Sequence, residues 1–152
     1  MSLQSFSPNT KIESAKVNTN FTNLSDNGRW VNLAWNFPAT VYATQVSKVY
    51  LSLPGNVTWE RADVACDTAP TGQALIADIE RSTDSGATWN SIFAAGNRPQ
   101  AAAGARTGNT TSIDTPTGTA NSHLFRAIID QVGSTVAGAD VTVQLKGKYD
   151  LD

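Results

Sequence analysis

Val141-Thr142-Val143-Gln144-Leu145-Lys146-Gly147-Lys148 decides the fold. Val141, Val143 and Leu145 alternate with Thr142, Gln144 and Lys146. In an extended chain successive side chains point to opposite sides, so this run presents one apolar and one polar face, as a half-buried antiparallel strand does. Working backwards, Leu124 to Val132 is a second strand, joined to the first through Gly133 to Asp140. Leu75, Ala77 and Ile79 oppose Ile76, Asp78 and Glu80 in a third. Trp30 to Phe37, Val41 to Leu53, Val57 to Cys66 and Trp89 to Ala94 supply further strands, punctuated by turn residues at Pro54-Gly55-Asn56, Asp67 to Gly72 and Ser82 to Gly86.

About eight short strands with turn residues between them suit a two-layer sandwich. The expected fold is therefore an all-β, antiparallel two-layer β-sandwich, jelly-roll-like in preference to immunoglobulin-like. The stretch from Ala95 to Ala120, rich in Ala, Gly, Asn and Thr, reads as one long irregular segment with room for a short strand near Thr110 to Ile113. Loops of that length are commonly functional or make subunit contacts.

Ahead of Arg29 the period changes. Thr10 and Glu13 have the spacing of a capping box, Val17, Phe21 and Leu24 follow at helical intervals, and Asn27-Gly28 can end the helix. The chain thus divides into an arm with a short N-terminal helix, residues 1–28, and a sandwich domain, residues 29–152. The stripe Val17, Phe21, Leu24 is one residue wide, which fits a coiled-coil seam between copies and equally a helix laid on its own domain with Phe21 as anchor.

Composition excludes several function classes. The 152 residues carry a net charge of −2, and only 16% of them are charged. That balance gives no electrostatic reason to approach nucleic acid, which needs clustered Lys and Arg. No apolar run approaches the ~18 residues of a membrane span and Met1 to Pro8 has no leader pattern, so the expected product is soluble and made inside a cell. With one Cys and one His there is no intramolecular disulfide and no ready zinc site, and no metal or other cofactor is expected. Cys66 reads as a small buried hydrophobe. Glu60 with Asp63, and Asp78 with Glu80, are carboxylate pairs of the kind glycosidases use, but neighbours such as Arg61 and Arg81 favour ion pairs. His123 lacks a nearby Ser or Cys motif. No catalytic residue is assigned.

Ala69 to Ile79, then Ser85-Gly86-Ala87-Thr88-Trp89-Asn90-Ser91-Ile92-Phe93, then Asn97-Arg98-Pro99, and finally Asp130 to Val143, together resemble a β-domain that recurs in structural proteins of tailed bacteriophages. Lys16 to Leu24 is similar to the leading segments of phage fibre proteins, which assemble as trimers. The resemblance spans most of the second half of the chain. It implies a virion component, made in the host cytoplasm and not an enzyme. Because a chain of 152 residues starting at Met1 has no long shaft, the expectation tilts to a capsid cement or decoration protein. Its partners would be its own copies in a homotrimer and the major capsid protein or other virion proteins. The alternative is a short fibre or tail-tip protein that binds host-surface carbohydrate. Trp59 and Trp89, next to turns, are the candidates for stacking on a sugar ring. Arg98-Pro99 is the candidate contact to a neighbouring subunit, so that Arg98→Ala is expected to weaken assembly more than folding.

Overall fold

Burial alternates along the first and last strands of the computed structural model, which describes residues 29–47, 50–118 and 122–150. In β1 (Trp30–Thr40), Leu33, Trp35 and Phe37 are buried between exposed neighbours, and in β11 (Ala139–Tyr149) Val141, Val143, Leu145 and Gly147 are buried between neighbours that are mostly half-buried. The expected helix, with Val17, Phe21 and Leu24, lies outside the described residues. Val31–Asp152 forms a unit of its own.

The remaining strands are β2 (Gln45–Val46), β3 (Leu51–Ser52), β4 (Val57–Thr68), β5 (Leu75–Ser82), β6 (Asn90–Ser91), β7 (Gln100–Ala101), β8 (Thr107–Thr110), β9 (Thr117–Gly118) and β10 (Leu124–Gln131). They make two antiparallel sheets. One runs β1-β11-β4-β8, with β9 also on β4; the other runs β2-β10-β5-β6, with β3 also on β10 and β7 also on β5. The fold is all-β, a two-layer sandwich. Its core draws on both layers: Trp59 of β4 meets Phe125 of β10 edge-to-face, with ring centroids 5.3 Å apart.

Two expected strands are corrected. Val41 to Leu53 is not one strand but a turn followed by β2 and β3, and Trp89 to Ala94 shrinks to β6 before a 3-10 turn at Ala95–Asn97. Likewise the segment expected to be irregular, from Ala95, contains β7, β8 and β9. The reason is the same each time. These segments lie at sheet edges and pair on one side only, so two-residue ladders separated by turns satisfy them, and breaking an edge in this way guards it against stray pairing.

The two flanks of the sandwich differ. On one flank the layers are joined through the backbone, since Asp114 N and Thr115 N both donate to Ile92 O, at 3.0 and 3.2 Å, and β7 passes directly against β8. The other flank, between β1 and β2, has no such tie among the described residues and carries a groove.

Candidate functional site

The open flank is a groove of about 380 Å³, within the range of ligand and segment-binding clefts. Buried Trp35 and Phe37 line it, along with Ala34, Pro38, Tyr42 and Val46, and Gln45 and Ser47 add polar atoms. Tyr42 is 62% exposed and Val46 38%. No residue of the lining carries a charge. The turn that carries Tyr42 into the wall is strained: Ala39 and Thr44 both have left-handed backbones, φ 64° and 66°, costly for residues with a Cβ. Hydrogen bonds hold them, from Ala39 N to Asp140 Oδ1 and from Thr44 N to Ile129 O, each 2.7 Å.

A second cluster lies on the outward face of β5 and β10. Asp78 points away from the core yet is buried, because Arg98 and Ser91 fold over it. Ser91 Oγ donates to Asp78 Oδ1 at 2.7 Å, and Arg98 Nε lies 3.0 Å from Asp78 Oδ2. That second contact is ionic, since Nε makes no aligned hydrogen bond. Arg98 Nη1 donates to Asp130 Oδ2 at 2.8 Å. Burial pushes the Asp78 carboxyl above its ordinary range, against the opposing pull of Ser91 and Arg98. The guanidinium expected to reach a neighbouring subunit is therefore held by two carboxylates of its own chain. Pro99 is buried, and its carbonyl accepts the N–H of Ala77 at 3.0 Å. Both residues fasten the segment after β6 to β5.

The two tryptophans separate. Trp59 is 2% exposed and has no face open to a ligand, so the stacking role is corrected: this ring is core. Trp89 is half-buried at the surface. Its Nε1 donates to Gly86 O at 3.0 Å, the Arg126 guanidinium sits 4.3 Å from the ring centroid, and Tyr50 packs beside it at 5.0 Å. The open ring of this cluster is Tyr50, 54% exposed, a residue that gave no signal in the sequence beyond its type.

The carboxylate pairs are ion pairs. Asp63 accepts from Arg61 at 2.7 Å and meets Lys146 Nζ at 2.9 Å, Glu60 meets Lys148, and Glu80 meets Arg126. Burial pulls the Asp63 carboxyl up, but hydrogen bonds and charge from Lys146 and Arg61 prevail and hold it below its ordinary range. A depressed carboxyl contributes stability above its unfolded value and loses it as pH falls through the folded value. Asp63→Asn is thus expected to cost about 1 kcal/mol at pH 7 and nothing once the native carboxyl is protonated. Urea unfolding of both proteins at several pH values measures it, and a deficit that persists in strong acid would contradict the assignment.

Among the described residues no group of three His, Cys, Asp or Glu side chains gathers for a metal. Burial raises the Cys66 thiol, whose Sγ lies 3.4 Å from Arg106 O, and burial lowers the His123 imidazole. What the surface does offer is an uncharged groove and an aromatic cluster, both suited to binding. Neither a protein-family model nor a curated protein matches the chain.

Proposed function

We propose that this protein is a non-enzymatic structural component of a tailed-bacteriophage particle, acting as a capsid cement or decoration protein that stabilises the head through repeated surface contacts. The observation that carries the reading is the open flank: an uncharged, partly apolar groove beside a long sheet edge, which favours contact with another polypeptide over turnover of a small polar substrate. The ion-paired state of the carboxylates fits the same reading. So does the strand order. If β2 with β3, β6 with β7 and β8 with β9 are each taken as one interrupted strand, the sheets run first-eighth-third-sixth and second-seventh-fourth-fifth. That is the order of a jelly roll, which supports the resemblance in the second half of the chain. A homotrimer over capsid junctions remains the proposed assembly. Many copies bound at once would resist internal pressure by mass action on the assembled state.

The test is to add the purified protein to emptied or expanded heads of its phage, then measure bound copies by sedimentation and head survival on heating. Saturable binding with a raised disruption temperature is the expected result. A second reading, a short fibre or tail-tip protein on host carbohydrate, is favoured by the exposed Tyr50 ring beside Trp89 and Arg126. Binding to host cells without binding to heads would put it first.

A further inference from the structure

A sugar in water is held by two kinds of contact at once: the C–H face of its ring lies on an aromatic side chain, and the hydroxyls at its rim exchange hydrogen bonds with polar groups alongside. The outward face of the second sheet sets these two elements side by side. Leu51 of β3 pairs with Phe125 of β10, so Tyr50, the residue before it, falls beside Arg126, which pairs on its other side with Glu80 of β5. Alternation turns all three away from the inward-facing Phe125 and Ile79. Tyr50, Arg126 and Glu80 thus form one row across three strands, about 10 Å from end to end at the usual strand spacing. Trp89 fills the corner behind them, its ring tilted 46° to Tyr50 at 5.0 Å and its centroid 4.3 Å from the Arg126 guanidinium. Pinned through Nε1 to Gly86 O, Trp89 is the prop, and Tyr50, 54% exposed, is the open ring.

We propose that this row is a binding site for an uncharged sugar, with one pyranose ring stacked on Tyr50 and neighbouring hydroxyl groups held by Arg126 and Glu80. The ion pair identifies the ligand. Arg126 Nε and Nη2 both bond to Glu80 Oε2, at 2.7 and 2.6 Å. Arg126 Nη1 and Glu80 Oε1 are left with no partner among the described residues, and the two side chains keep 19% and 17% of their surface open. One donor beside one acceptor matches a pair of adjacent hydroxyls, each of which can both donate and accept. A carboxylate or sulfate brings acceptors only, and would meet a guanidinium whose charge is already answered and a carboxylate oxygen that repels it. A purely apolar partner would desolvate both groups and return no hydrogen bond. Because two bonds and the Trp89 ring hold the guanidinium, the donor is oriented before the ligand arrives. The site rests on the host-carbohydrate reading given above and names the class of glycan it would take.

Amide NMR of the full chain, titrated to about 20 mM with lactose, cellobiose, maltose and chitobiose and separately with glucuronic acid, covers the roughly millimolar affinity that one stacked ring and a few hydrogen bonds supply. At least one neutral disaccharide is expected to shift the signals of Tyr50, Glu80, Trp89 and Arg126 saturably, and glucuronic acid to leave them in place. Tyr50→Ala should weaken that binding at least about fivefold, whereas Tyr50→Phe, which keeps the ring, should stay within about twofold. Glu80→Ala should weaken it to a similar degree. Val136→Ala, at an exposed side chain in a different loop, should leave it unchanged, and circular dichroism should show every variant folded. Failure of all four disaccharides to bind, undiminished binding in Tyr50→Ala, or equal binding of glucuronic acid would each overturn the proposal. Host cells separate the site from the reading beneath it. Cells bound equally well by the native protein and by Tyr50→Ala would overturn this site and leave the carbohydrate reading standing, while no binding to cells or to any sugar would remove both.

Discussion

Replacing Arg98 by alanine is expected to lower the stability of the fold by about 3 kcal/mol at neutral pH, one of the two largest effects of any substitution considered for this surface. The cost comes from what the arginine covers. Asp78 has a side chain only 6% exposed, and Arg98, itself 22% exposed, is the only cation paired with it in the described residues. Removing a partner from a buried pair leaves a charge without compensation, which costs more than the pair contributed. The pH dependence gives the mechanism away. The folded carboxyl of Asp78 already lies above its ordinary value because of burial, and loss of Arg98 raises it further. A carboxyl whose folded value is raised holds its proton longer in the native state than in the unfolded chain, so the penalty for the charge is greatest above the folded value and vanishes below the unfolded one. The deficit of Arg98→Ala should therefore shrink steadily as pH is lowered from 7 towards 4. Asp78→Asn should be far milder, because Arg98 keeps Asp130, and the double variant should recover most of the loss. Chemical unfolding of the four proteins measures the cycle. A deficit independent of pH, or a double variant as unstable as Arg98→Ala, would show that packing of the arginine stem, not the stranded charge, is what matters.

That arginine marks where reading the residues in order runs out. The long strands β1, β4, β5, β10 and β11 were legible because each runs for eight residues or more and its apolar residues recur every second position over enough of that length for period two to stand out, even where β4 changes phase. The short edge strands were not, since a two-residue ladder has no period. Arg98 looked like an outward-reaching loop charge because its partners lie 20 and 32 residues away in the chain, and only the pairing of Ile128 with Asp78 brings β5 and β10 beneath it. Asp78 itself sat on the polar side of its strand, where burial cannot be guessed. Trp59 was misplaced for a subtler reason. Val57 and Trp59 face inward on one phase, and Ala62, Val64 and Cys66 on the other, because the ladder to β11 skips Glu60 between Trp59 and Arg61. A bulge adds one residue and flips the phase. With that flip allowed for, Trp59 reads as core.

Gly108→Ala is expected to be at least as damaging, about 3 kcal/mol or more, although it adds a single methyl group. Gly108 lies on β8 opposite the inward-facing Val64 of β4, so a side chain there would point into the sandwich. The space is taken by the backbone of β7. A Cβ at Gly108 would sit 1.6 Å from the carbonyl oxygen of Gln100 and 2.5 Å from its carbon. Those atoms cannot rotate aside as the end of a side chain can, and their strand is held by pairing of Ile76 with Gln100 and Leu75 with Ala101. Relief means moving β7 or β8 bodily, and either movement breaks a ladder on the flank where the two layers are tied together. Two other glycines calibrate the claim. Gly104 has open space around it but a left-handed backbone, φ 82°, so alanine there should cost about 1 kcal/mol through torsion alone. Gly96 has neither constraint, and alanine should be nearly neutral. Thermal and urea unfolding of the three variants should give the order Gly108, then Gly104, then Gly96. If Gly108→Ala fell within about 1 kcal/mol of Gly96→Ala, the close backbone approach would not be what closes this flank.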